Sequence, residues 1–186
     1  MIADILQVYE QASPSDFNAR HWYRRARQAC QQLADETGLP LEVVVGVVAV
    51  LSPRLKWEAN IREARKVIEG KTSQALGRNV AKARRILETG QVELSGPKVT
   101  SFYRNILEPD DSQAVTVDTW AARVWSGDWK WGKPVDKKTY WQIAADYREA
   151  ARQVGLLPCE LQAITWESVR RIVTSRGGKG QLSLTI

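Results

Sequence analysis

Two places in the sequence combine residue types and spacing that can do chemistry. The first is Val115-Thr116-Val117-Asp118-Thr119-Trp120-Ala121-Ala122-Arg123-Val124, where a short apolar extended segment delivers an aspartate to the start of a helix. Aspartate is a preferred helix N-cap, so one reading of Asp118 is purely structural. The other uses the same geometry. A carboxylate at a helix N-terminus stays ionised, because the dipole and nearby N–H groups favour the charged form. Beside a sugar C1′ it can stabilise oxocarbenium character and orient an attacking water. The second place is Leu94-Ser95-Gly96-Pro97-Lys98-Val99, a tight turn that opens a new helix. Such a turn points backbone N–H groups outward at a helix start, a nest that can hold one phosphate without reading sequence. Pro97 suits the first turn of that helix, although Gly-Pro is common at any loop-to-helix junction.

The elements that position these residues are helical. Ile2 to Ala12 carries Ile5, Leu6, Val8 and Tyr9 on one face, and Ser13-Pro14-Ser15-Asp16 supplies a break and an N-cap. A second helix is expected from Phe17 to Thr37, with Arg20, Arg24, Arg25 and Arg27 on its solvated face and Gly38 and Pro40 ending it. Leu41 to Leu51 is Val-rich and has strand propensity, but its place between helical segments favours a buried helix. Further helices are expected from Trp57 to Glu69, Asn79 to Thr89, the Gly96 turn to Leu107, Thr119 to Trp125, Thr139 to Val154 and Cys159 to Val173. The tail from Ser175 is Gly-rich and expected to be loose until its last apolar residues. The chain is therefore expected to be all-α, with short connections.

Composition narrows the partners. The chain is 44% hydrophobic and 26% charged, an ordinary globular balance. Its longest apolar stretch, Leu39 to Leu51, is too short to cross a bilayer, and the start lacks the basic flank of a signal peptide. Cys30 and Cys159 are far apart and read as reduced core thiols of a cytoplasmic protein; no zinc or iron–sulfur spacing exists, so no metal or cofactor is expected. Lys and Arg outnumber Asp and Glu by 27 to 21, and the net charge of +6 favours phosphate-bearing partners. Four tryptophans, Trp120, Trp125, Trp129 and Trp131, fall in one short stretch, either as core and loop anchors or as a stacking platform for an extruded base. The single histidine, His21, lies in an Arg-rich segment with no metal-ligand partner and is given no catalytic role.

The order of a buried helix, the Leu94-Ser95-Gly96 turn, a helix and then Val117-Asp118-Thr119 resembles the helix-hairpin-helix superfamily of DNA glycosylases, which includes endonuclease III, adenine glycosylases, 8-oxoguanine glycosylases and alkyladenine glycosylases. The family's hairpin typically reads Leu-Pro-Gly-Val-Gly and its catalytic segment Val-Asp-Thr-x-x-x-Arg-Val. Val117, Asp118, Thr119, Arg123 and Val124 match the latter, and the spacing from Leu94 to Asp118 matches the family's register. Upstream, Val47-Val48-Ala49-Val50-Leu51-Ser52-Pro53-Arg54 resembles the family's buried helix ending in Leu-Ser, and the likeness continues through Asn60 and Ala64. It covers roughly residues 40 to 126; the two ends share only helical character.

The resemblance implies an all-α fold of two helical lobes with a cleft between them, 40–110 forming one lobe and 1–39 with 111–186 the other. It implies double-stranded DNA as partner, a monomer associated with the nucleoid, and a hydrolase that flips a base and breaks its N-glycosidic bond. Asp118 takes the catalytic place. Gly96, Pro97, Lys98, Val99 and Thr100 take the phosphate-binding place. Arg54, with Leu55 or Lys56, matches the residue that fills the gap left by the flipped nucleotide, or is an ordinary surface arginine. Trp120 lines the base pocket or packs behind Asp118, and Gln162, Trp166 and Glu167 are candidates for the cleft. Three departures matter. Thr100 stands where lyase-competent members carry a lysine, which implies a monofunctional enzyme leaving an abasic site. Lys98 replaces the second hairpin glycine and is either a phosphate contact or an alternative amine. The four-cysteine cluster of some members is missing. Two other readings stay open: a DNA-binding module without base excision, and an unrelated helical protein in which Asp118 is only a cap.

Overall fold

The Val-rich run Leu41–Leu51 decides the architecture of its half of the chain. Nine consecutive residues, Val43 to Leu51, are buried, so the segment has no solvent face. A strand could bury both faces only inside a sheet, and this run has helices for neighbours. In the computed structural model, which describes residues 1–175, it is a helix, as are all the other regular elements. The α-helices are α1 (Ile2–Glu10), α2 (Trp22–Thr37), α3 (Leu41–Leu51), α4 (Trp57–Ile68), α5 (Gly77–Thr89), α6 (Pro97–Leu107), α7 (Thr119–Ser126), α8 (Lys137–Val154) and α9 (Pro158–Ser175), with a 3-10 helix at Asp16–His21. None of them is long and apolar enough to cross a membrane. The expected looseness of the tail from Ser175 onward lies outside the described residues, Ser175 itself closing α9.

The described residues form two compact units, one of Met1–Tyr23 with 108–175 and the other of Arg24–Leu107. The first break therefore falls after Tyr23, inside α2, and not at 39/40. In the second unit α3 is the hub against which α4, α5 and α6 pack. Val92, in the strap between α5 and α6, sits so close to Gly46 of α3 that a Cβ there would lie 2.8 Å from its Cγ1. The last turn of α3 tightens, with Ser52 N donating to Ala49 O at 3.4 Å, and the Val48 carbonyl it bypasses accepts instead from buried Asn60 Nδ2 at 3.1 Å. In the first unit α9 packs on the 3-10 helix, α1, α7 and α8. Its core includes Ile5, Val8, Val115, Val117, Tyr140, Ile143, Tyr147 and Leu161.

The expected helix from Phe17 to Thr37 is corrected. Its first part is the 3-10 helix, and the α-helix begins only at Trp22. Asp16 is the cause: it is buried, accepts from Ser13 N at 2.8 Å and from Arg171 Nε at 2.9 Å, and this inward pull tightens the turn. The other helices begin and end within two residues of their expected limits. Both cysteines are buried thiols, and burial pushes the Cys30 thiol up to about 12.

Candidate functional site

Asp118 is presented by an extended strap whose own backbone is braced from α8. Residues 114–117 are buried, and the Tyr140 hydroxyl donates to Val115 O at 2.7 Å while accepting from Val117 N at 3.2 Å. One buried phenol thus satisfies two buried backbone groups that a helix or sheet would otherwise have paired. Asp118 follows at φ −108° and ψ −174°, in extended geometry, and its Oδ1 accepts from Ala121 N at 2.8 Å. The residue is therefore a true N-cap of α7, and its carboxylate is half-buried. Tyr147 lies close enough to feel the charge. Burial first, and the Asp118 carboxylate in addition, hold its phenol well above the ordinary range despite a bond to Thr165. Tyr147 remains a neutral hydroxyl, 3.1 Å from Thr165 Oγ1, which itself donates to the α9 backbone.

The tryptophans after Asp118 are mostly anchors. Trp120 is half-buried against the core of its unit, with the Arg123 guanidinium 4.4 Å from its ring centroid. Arg123 Nε in turn donates to Trp131 O at 2.8 Å, so α7 and the loop after it are tied together. Trp125 Nε1 donates to Asp146 at 2.6 Å, and Trp131 Nε1 donates to Lys133 O at 2.9 Å. Trp129 alone among the four is exposed. On α9, Gln162 is buried and accepts from Tyr23 Oη at 3.2 Å, Trp166 is buried beneath Arg170, and Glu167 pairs with Arg170 at 3.2 Å. His21 is exposed at the end of the 3-10 helix.

The remaining sequence-derived residues lie in the other unit. Gly96 takes φ +86°, a conformation that side chains rarely adopt, and Pro97 is the first residue of α6. Thr100 N and Oγ1 both donate to Gly96 O, at 3.2 and 3.0 Å, so the threonine in the lysine position closes the first turn of α6. The N–H groups of Lys98 and Val99 fall in that first turn, where an α-helix supplies no acceptor. Lys98 is half-buried. Ser52-Pro53-Arg54-Leu55 is a tight turn closed by Leu55 N donating to Ser52 O at 3.0 Å. Arg54 in it has φ +70°, the only positive φ outside glycine among the described residues, and it is exposed. The backbone there accepts strain that glycine would avoid. Leu55 is half-buried and Lys56 exposed.

Within this unit the fold brings the Pro53 turn and the hairpin onto one cavity of about 330 Å³, lined by Val50, Pro53, Arg78, Asn79, Lys82, Ser95 and Val99. The sequence reading gave no role to Arg78, Asn79 or Lys82. The spacing of Arg78 and Lys82, one turn apart, was the available signal.

No curated protein and no solved structure matches the chain. A family model does, over residues 1–172, and the chain accordingly belongs to DUF7178, a family of unknown function.

Proposed function

We propose that this protein is a monofunctional DNA N-glycosylase that removes a damaged or modified base from duplex DNA. The observation that carries the reading is Asp118 itself: a half-buried carboxylate on a rigidly braced strap, its Oδ1 fixed by Ala121 N at a helix N-terminus. The brace prevents it from turning away as charge develops. The Gly96 hairpin supplies outward N–H groups for a backbone phosphate, and the net charge of +6 suits a polyanion. Arg54, held out in a strained turn, fills the space left by the extruded nucleotide. Water adds to C1′, the N-glycosidic bond breaks, and the base departs with the bonding electrons and takes up a proton. Asp118 stabilises the cationic sugar and accepts the proton of the attacking water. With Thr100 in place of lysine, no Schiff base forms and the product is an abasic site. The enzyme acts as a monomer in the nucleoid.

The test is a mass-spectrometric search for free bases released from diverse genomic DNAs, run with wild-type protein and Asp118→Asn. Wild type releases a base and leaves alkali-labile sites; the variant binds the same DNA and releases none. Borohydride yields no covalent adduct, and a trapped species would move the chemistry to Lys98.

A second reading is a helix-hairpin-helix DNA-binding protein without base excision. It is favoured by the cap bond, since Oδ1 of Asp118 already has a structural task. Equal inertness of wild type and variant toward every DNA, with binding intact, selects it.

A further inference from the structure

The outer face of α8 holds one large apolar side chain in the open. Trp141 is 47% exposed, and its ring meets that of buried Tyr140 edge-to-face, 5.3 Å between centroids, which fixes its orientation. Tyr140 is also the brace of the strap before Asp118, so the indole is mounted on a rigid part of its unit. Lys137 and Lys138 lie one turn before Trp141, Ala145 one turn after it and Arg148 two turns after it. Steps of three and four residues put them on one stripe of the helix. At ~1.5 Å per residue, the stripe from Lys137 to Arg148 runs about 16 Å.

The positive charge along this stripe is uncompensated. Asp136 caps α8, accepting from Thr139 N at 3.0 Å and from Thr139 Oγ1 at 2.6 Å. Asp146 accepts from Trp125 Nε1 at 2.6 Å, and Glu149 pairs with Arg152 at 2.7 Å. Every carboxylate of α8 and its cap is thus engaged away from the lysines. Lys137 and Lys138 are exposed and form no ion pair among the described residues. Arg148 Nη1 donates to Gln113 O at 3.1 Å, which pins the guanidinium and leaves it further donors. The chain entering α8 repeats the combination: Trp129, 42% exposed, stands next to exposed Lys130, and Asp128 is tied to the Lys130 backbone N–H at 2.9 Å.

An open, oriented indole with unpaired cations before and after it fits a polyanion whose units also carry flat faces. A base stacks on the ring while the phosphates beside it lie against the cations. A duplex keeps its base faces inside the stack and offers the indole nothing. A bilayer surface requires a continuous apolar face, and Ala145 is the only other apolar residue on the stripe. An acidic peptide would pair with the lysines but supplies no flat face for each charge. We propose that the Trp141 face of α8 binds single-stranded DNA, one base stacked on Trp141 and the adjoining phosphates held by Lys137, Lys138 and Arg148. This contact is additional to those at Gly96 and Arg54 and requires no base excision. In taking DNA as the nucleic acid, the inference rests on the proposed function, and the experiment separates the two.

Full-length protein is titrated into fluorescein-labelled oligothymidylate, and anisotropy is followed at several salt concentrations. Oligouridylate, polyglutamate and phosphatidylserine vesicles serve as competitors. Trp141→Leu weakens binding about tenfold with the salt slope unchanged, and Trp141→Phe restores most of the affinity. Lys137→Gln/Lys138→Gln lowers the log–log salt slope by about 1.4, whereas the charge-matched control Arg62→Gln/Arg84→Gln, exposed residues of the other unit, keeps it. Urea midpoints of the Trp141 variants stay at the wild-type value, because the ring is half in solvent. Equal affinity of wild type and Trp141→Leu overturns the inference, as does a control that loses slope equally. Tighter competition by oligouridylate, polyglutamate or the vesicles than by unlabelled oligothymidylate overturns it too. Base release from duplex DNA is assayed with the same proteins. If wild type releases base while Trp141→Leu still binds the single strand normally, the inference falls and the glycosylase reading stands. If single-strand binding depends on Trp141 but no DNA loses a base, the inference stands and the glycosylase reading falls.

Discussion

At the scale of single residues, Asp118 has a capping role and a proposed catalytic one, and substitution separates them. Alanine removes the cap and costs about 1 kcal/mol. Asparagine keeps an oxygen for Ala121 N and gives up only the interaction of the charge with the helix start, about 0.3–1 kcal/mol. Asp118→Asn is therefore expected to unfold in urea within about 1 kcal/mol of wild type while losing base release entirely; release at the wild-type rate would reduce Asp118 to a cap. Arg54 offers the complementary case. Its left-handed backbone costs on the order of 1 kcal/mol, which glycine recovers in the folded state and partly loses to the entropy of the unfolded chain. Arg54→Gly should leave stability within about 1 kcal/mol of wild type and lower duplex affinity and base release. Unchanged DNA activity would mark Arg54 as an ordinary surface cation. The sequence indicated both positions by motif, but the positive φ at Arg54 depends on a turn between α3 and α4 that no local signal demands.

Elements matter through what they hold still. The strap 114–117 has neither helix nor sheet to satisfy it, and Tyr140 does that work from α8. Tyr140→Phe removes the hydroxyl and leaves Val115 O and Val117 N buried without it. The expected cost is about 1–3 kcal/mol in urea unfolding, with base release reduced although Asp118 is intact. A variant with wild-type stability would show that the strap finds other partners. The strap was legible as apolar and extended, whereas its brace, 25 residues further on at Val115's partner Tyr140, was not. The loop before α5 is ordered in a similar way. Glu63 of α4 is buried and accepts from Lys66 Nζ at 2.7 Å, Ser73 Oγ at 2.8 Å and Gln74 N at 2.7 Å. These bonds set the path of the chain into Gly77, and hence the place of Arg78 and Asn79.

For the molecule as a whole, each unit contains a buried carboxylate with a lowered pKa. Burial acts to raise the Asp16 pKa and is outweighed by the bonds from Ser13 and Arg171; burial acts likewise on Glu63 and is outweighed by Lys66, Gln74 and Ser73. Both groups are more acidic when folded than their ordinary values of 3.8 and 4.5. Their stabilisation is complete above those values and is lost as pH falls through the lower folded ones. Urea midpoints should hold steady near neutrality and drop below the ordinary carboxylate range, and Glu63→Gln should flatten part of that drop. A midpoint that rises on acidification would refute the assignment. The net charge of +6 acts at the same scale: on the proposed function, duplex affinity is expected to fall steeply with salt.

The sequence by itself determined what depends on neighbours along the chain. Helical periodicity, the cap at Asp118, Pro97 at a helix start and Gly96 beyond ordinary φ all arise from residues a turn or less apart, where sterics and backbone hydrogen bonding leave few choices. The buried helix at Leu41–Leu51 was legible only because its flanks argued against its strand propensity. Tertiary structure decided what depends on distant partners. Asp16 meets Arg171, Tyr140 meets the strap, and Pro53, Asn79 and Ser95 meet around one cavity. Burial of a polar group, and whether it finds a partner there, are properties of the folded interior. No stretch of sequence carries them alone, so the enclosed and unpaired Asn79 Nδ2 could not be foreseen.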